Sequence, residues 1–240
     1  MHRLVDAQGE CATARACGRA GALFGHSQHA TRSIEDVASA ARGAQWWYST
    51  YLLKDRDTTI DLVRRAVAAG SRGIFLTVDS ARFGFREADA RNGFNAPPLQ
   101  WLTQFTTHPL TLANYERPPL SNAAADAWDL HPEALLDPTA SWDAVSWLCG
   151  ELDKLPGGAA VPLVVKGIMS GADASLAIEH GADGVFVSKH GERQADETLG
   201  SLVQGLRHYF WDRISRISQP CATPYMPCGV LYLVAVRVEC

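Results

Sequence analysis

Short apolar runs alternate with segments of helical spacing through most of this 240-residue chain, and three of the runs end on polar side chains. Residues 73–79, Gly73-Ile74-Phe75-Leu76-Thr77-Val78-Asp79, close on a carboxylate. Residues 161–167 close on Lys166-Gly167, and residues 184–188 lead into Lys189-His190-Gly191. Runs this short and apolar suit strands buried on both faces, and strands that alternate with helices belong in a parallel sheet of the α/β class. The length is about that of one α/β barrel domain.

The other elements follow from local signals. Glu10–Ala20, rich in Ala and Arg, reads as a helix, and residues 21–27 as a weak strand. Ser33 is expected to cap a second helix, with Asp36 three residues on. Trp46–Tyr51 is aromatic and strand-like. Asp57 is expected to cap a helix whose apolar positions Ile60, Val63, Ala66 and Val67 recur at helical spacing, with Gly70 at its end. Ser141 is expected to cap another, through Trp142, Val145, Leu148 and Leu152, and residues 170–180 form one more, closed by Gly181. Residues 91–137 contain Pro97, Pro98, Pro109, Pro118, Pro119 and Pro132 and read as a long irregular insertion, a linker or a lid. After Leu202 the alternation fails, around Pro220, Pro224 and Pro227, before an apolar run over 229–238 that is either a strand or an exposed sticky tail. The expected division is therefore a barrel domain over 1–202 and an unrelated tail over 203–240.

Charge and composition narrow the function. A net charge of −4 argues against a nucleic-acid partner, which would call for a basic face. No apolar run reaches the roughly 18–20 residues that span a membrane, and the start lacks the apolar stretch of a secretory signal. The expected location is the cytoplasm or an organelle matrix, without secretion. The six cysteines include no C-x-x-C pair, so neither a disulfide framework nor a metal site is expected.

In a parallel barrel the strand C-termini converge on one face, and that face carries the chemistry. Asp79, Lys166, His190 and Arg193 would then meet there. Taken singly, each has an ordinary use: a helix cap, a solvated cation, a structural imidazole. Taken together they set a natural general base beside a carboxylate able to orient it and stabilise its protonated form.

The residues that carry this reading also carry a resemblance. Tyr51-Leu52-Leu53-Lys54-Asp55-Arg56-Asp57, Leu76-Thr77-Val78-Asp79 and Arg86-Glu87-Ala88-Asp89-Ala90-Arg91-Asn92, then Val165-Lys166-Gly167 and Ser188-Lys189-His190-Gly191-Glu192-Arg193-Gln194-Ala195-Asp196, resemble in order and spacing the FMN-dependent α-hydroxy-acid dehydrogenase and oxidase family. A weaker match lies at 9–16. The resemblance covers roughly the first 200 residues. It implies a TIM (β/α)8 barrel, incomplete here, without the family's first and last two strands. It also implies FMN as cofactor and oxidation of a small L-2-hydroxy acid, such as lactate or glycolate, to a 2-oxo acid. For a complete member it implies a homo-oligomer.

By the same resemblance His190 is the active-site base and Asp79 its carboxylate partner. Arg193 binds the substrate carboxylate, where a planar fork suits the task, and Arg86 is a second active-site arginine. Tyr51 hydrogen-bonds the substrate oxygen. Lys166 lies beside the flavin, where its charge stabilises the reduced anion. Thr77, Ser27, Ser49 and Ser188 fall at flavin-contacting positions.

The match has departures. Ser49 stands where the family has Gln, Ala195 where it has Leu, and Lys189 where it has Asn, which sets a second cation beside the base. The family's N-terminal substrate-binding tyrosine and first strand have no counterpart, and nothing after Leu202 matches the D-G-G-x-R and G-R motifs that hold the FMN phosphate. The alternative reading is therefore a catalytically impaired fragment or faulty gene model without competent FMN binding. A third is a lyase with Lys166 as a Schiff base.

Overall fold

The computed structural model describes residues 2–81, 87–93, 113–115, 135–194 and 232–236. Within them, β1 (Phe24–Ser27), β2 (Trp46–Tyr51), β3 (Ile74–Thr77), β4 (Leu163–Ile168) and β5 (Gly184–Val187) lie side by side in chain order, all parallel. This is the strand arrangement expected of part of a (β/α)8 barrel. A sixth strand, β6 (Tyr232–Val236), pairs antiparallel with β5. Among the described residues β1 and β6 do not pair with each other, and the sheet stays open.

The helices are α1 (Glu10–Ala20), α2 (Ile34–Ala40), α3 (Arg56–Ala68), α4 (Glu87–Asn92), α5 (Asp143–Lys154) and α6 (Gly171–Glu179). Three of them begin where a short polar side chain accepts from an otherwise unpaired backbone N–H. Ser33 Oγ accepts from the Asp36 amide and Ser170 Oγ from the Asp173 amide. Two expected caps move. Asp55, not Asp57, caps α3 by accepting from the Asp57 amide, because Asp57 already lies within the first helical turn. Ser141 does not cap α5: its hydroxyl donates to Asp143 Oδ2, and Trp142 at the cap position makes no side-chain cap bond. The buried face of α3 is Thr59, Leu62, Val63 and Ala66, so Ile60 and Val67 sit at its margins.

The pleat divides the strands between two environments. Tyr48, Ile74, Leu76, Leu163, Val165, Val185 and Val187 pack against helical Leu62, Val63, Leu148 and Ala177 in the main core. Alternate residues Trp47, Phe75, Val164 and Phe186 make a second apolar layer on the other face. Two residues further along that second face, toward the C-terminal ends, come Ser49, Thr77, Lys166 and Ser188. Apolar packing below and polar chemistry above therefore follow from period two.

The irregular segment returns to the barrel at its middle and at its C-terminal end. The Asn114 side chain is buried; it accepts from the Ile34 amide and donates to the Gln28 carbonyl. Leu136 bridges Leu53, and Asp137 pairs with Arg56 at 2.7 Å. The apolar C-terminal run contributes a strand rather than an unpaired tail.

Glu10 ties α1 to the loop after β1. Its carboxylate accepts from the amides of His2 and Thr31 and from the Thr31 hydroxyl. Burial alone would push its pKa up, but these donors outweigh it and hold the group at about 2. A depressed carboxylate stabilises the fold above its unfolded pKa, and that contribution disappears as pH falls through the folded value. Glu10→Gln is expected to lose about 1–3 kcal/mol at neutral pH. Its melting temperature should also change less than that of the parent chain between pH 4.5 and 2. Equal pH slopes in thermal melts of the two proteins would show that Glu10 does not carry this dependence.

Candidate active site

The end of β3 and the turn after β5 bring the two principal groups together. Asp79 Oδ1 lies 2.8 Å from His190 Nδ1. Ser80 Oγ donates to Asp79 Oδ1 at 3.2 Å and lies 3.2 Å from the same imidazole nitrogen. The short contact to a carboxylate makes Nδ1 the protonated nitrogen, which leaves Nε2 as the basic one. Lys166 Nζ completes the group, 3.6 Å from Asp79 Oδ2 and 3.5 Å from His190 Nδ1. Two protonated nitrogens do not hydrogen-bond each other, so the Lys166–His190 approach reflects their shared anion.

Backbone geometry holds His190 in place at some cost. It is the only described non-glycine residue with positive φ, at 59°. Such conformers are stored at functional sites when the surroundings enforce them. Here Ser188 Oγ accepts from the His190 amide at 3.0 Å, so Ser188 fixes the backbone of this imidazole. Across the mouth, Gly167 has φ 110°, and a Cβ there would lie 2.6 Å from Asp79 Cβ. The aspartate is seated against bare backbone.

Tyr51 ends β2 beside this group. Burial pushes its phenol up to about 12, Asp79 adds to the rise, and nearby Arg193 opposes it. The hydroxyl is therefore a proton donor at neutral pH. Burial likewise lowers Lys166, while the Asp79 charge works to keep it protonated. Arg193 follows the His190 turn and is exposed. Ser49 Oγ and Thr77 Oγ1 face each other at 3.3 Å on neighbouring strands. Ser27 Oγ accepts from the His29 amide at 3.1 Å, which turns the chain at the end of β1. Arg86 lies outside the described residues.

Several participants carried no sequence signal. His29 stacks on Tyr51 with ring centroids 5.2 Å apart, and on its other side meets Tyr115 at 6.2 Å. Burial lowers its pKa to about 4, so the ring is neutral. Gln28 links Thr50, the Tyr51 amide and the Tyr115 hydroxyl. A Gln or His after a weak strand looks like any loop residue.

The donor set fits a flavin ring. Hydroxyls of Ser49 and Thr77 and the Lys166 ammonium lie on adjacent strands above the Trp47, Phe75 and Phe186 layer, with Lys166 Nζ 5.9 Å from the Phe186 ring centroid. A flat aromatic with an acceptor-rich edge suits an apolar floor bordered by donors. Asp79 Oδ2 is buried with no hydrogen-bond partner among the described residues, and its nearby cation is Lys166 Nζ at 3.6 Å.

A parallel α/β sheet with an Asp–His pair and a lysine at the C-terminal ends of its strands is an arrangement of the barrel-enzyme class. Comparison with known proteins then gives its kin. The model of the FMN-dependent dehydrogenase family matches residues 1–205, and the chain belongs to that family. It is 39% identical over 206 residues to glycolate oxidase of Spinacia oleracea, covering 85% of this chain and 51% of that protein. It is 39% identical over 197 residues to human 2-hydroxyacid oxidase 1, covering 82% and 50%. Among solved structures, mandelate oxidase superposes with a TM-score of 0.67 at 33% identity, over 85% of this chain and 50% of that one. A mandelate oxidase variant with (S)-mandelic acid gives 0.65 at 31%, over 85% and 49%. The chain thus spans about half the length of the relatives it matches.

Proposed function

We propose that this chain supports FMN-dependent oxidation of an L-2-hydroxy acid to a 2-oxo acid. The observation that carries the reading is the 2.8 Å Asp79–His190 contact with Lys166 beside it. Removing hydrogen from a hydroxy acid requires a base for the proton and an acceptor for two electrons. The acceptor is FMN. His190 Nε2 takes the proton. Asp79, held on Nδ1, stabilises the imidazolium that results. Lys166 supplies positive charge at the donor row that receives the ring. Arg193 offers a fork for the substrate carboxylate, and Tyr51 donates to the substrate oxygen. The family likeness and the relatives' names, glycolate, 2-hydroxyacid and mandelate oxidases, support the substrate class.

The test is anaerobic. The purified chain is loaded with FMN, desalted and mixed with glycolate, L-lactate or mandelate. Bleaching of the flavin absorbance with at least one acid is the expected result. Retained flavin that none of them bleaches would remove the substrate class, and flavin that elutes free would remove the cofactor.

A further inference from the structure

Away from the mouth, four arginines line one groove. It runs between α1 and α2 on the outer helical layer, with a volume of about 860 Å³, and includes Arg15, Arg19, Arg32 and Arg42 against a single carboxylate, Asp36. None of its lining residues belongs to the active site. On a chain whose net charge is −4, such a concentration of one sign in one hollow is not a sampling of the average surface.

The local sequence builds it. Cys11, Arg15, Gly18 and Arg19 follow helical spacing and share one face of α1. A Cβ at Gly18 would lie 3.0 Å from Ala44 Cβ, so the bare backbone lets α1 come close to the end of the α2 segment. Arg32 enters from the loop before α2 and Arg42 from the loop after it. Two of the four are fixed in advance: Arg32 donates to the carbonyls of Ala7 and Gln8, and Arg15 to the Gln8 side chain. The other two, Arg19 and Arg42, are exposed and have no hydrogen-bond or ion-pair partner among the described residues. Four like charges gathered around a single counter-charge repel one another, and a bound anion relieves that repulsion.

We propose that the α1–α2 groove is a binding site for a small oligophosphate, a chain of linked phosphoryl groups free or carried on a nucleotide. Guanidinium forks match phosphoryl oxygens, and Arg15 and Arg19 stand one helical turn, ~6 Å, apart, so a linked anion meets both where an isolated one meets one. The hollow is of the size that takes a small molecule.

The experiment titrates the full chain at low salt with tripolyphosphate, with ATP and with sulfate at matched ionic strength, by calorimetry and thermal melting. Saturable binding of tripolyphosphate with a raised melting temperature is expected, weakened about tenfold or more in an Arg19→Glu, Arg42→Glu double variant. Both side chains are exposed, and the variant without ligand should melt no lower than the parent. Equal affinity for ATP and tripolyphosphate assigns the site to the phosphate chain alone; tighter ATP binding adds a contact to the nucleoside. An undiminished affinity in the double variant, or an equal shift from sulfate, would overturn the proposal. The readout needs neither flavin nor hydroxy acid, so it stands or falls apart from the oxidation reading.

Discussion

Replacing His190 with Asn should slow flavin reduction by roughly two to four orders of magnitude while leaving FMN binding nearly unchanged. Asn is the informative choice. His190 has φ 59°, a region that Asn tolerates better than most residues, so the turn after β5 keeps its shape while the basic nitrogen is lost. Asp79→Asn tests the same pair from the other side. It removes the charge 2.8 Å from Nδ1 and lets an amide compete for the same nitrogen, so the imidazolium loses its stabiliser. Single-turnover reduction followed by stopped flow measures both. Rates within about threefold of the parent in the His190 variant would place the proton acceptor elsewhere.

Gly167→Ala should be the most damaging single methyl that can be added at the mouth. The new Cβ would meet Asp79 Cβ at 2.6 Å and the Asp79 backbone nitrogen at 2.8 Å, and φ 110° is strained for any residue with a side chain. Backbone strain and overpacking together predict a loss of about 2–5 kcal/mol in urea unfolding. The surviving folded fraction should also reduce flavin slowly, because the carboxylate that orients His190 has been pushed away. A stability loss below about 0.5 kcal/mol would show that β4 and Asp79 do not touch as described.

The sequence was most legible where a pattern had one physical meaning. Short, continuous apolar runs marked β3, β4 and β5, and their polar ends marked Asp79, Lys166 and His190. Ser33 was a readable cap because it precedes a helical period directly. Asp55 and Asp57 were not separable by eye, since both are short acids at a helix start and only backbone dihedrals distinguish a cap from a first-turn residue. Asn114 and Tyr115 were hidden for another reason. They sit among prolines and polar residues, yet their partners, Gln28 and His29, lie more than eighty positions away in sequence. Local composition holds no record of such a contact. The family likeness supplied roles for Tyr51, Thr77 and Arg193 that spacing alone would not have assigned.

The Asp79–His190 contact joins residues 111 positions apart, and two strand pairings, β3 with β4 and β4 with β5, must be in register before it can form. Helices α1 to α3 depend on near neighbours and can gather early, whereas this pair belongs to the slow, non-local stage of folding. Competence for chemistry is thus acquired late and all at once. In a refolding experiment the return of flavin reduction should lag the return of helical signal, so turnover doubles as a clock for completion of the sheet.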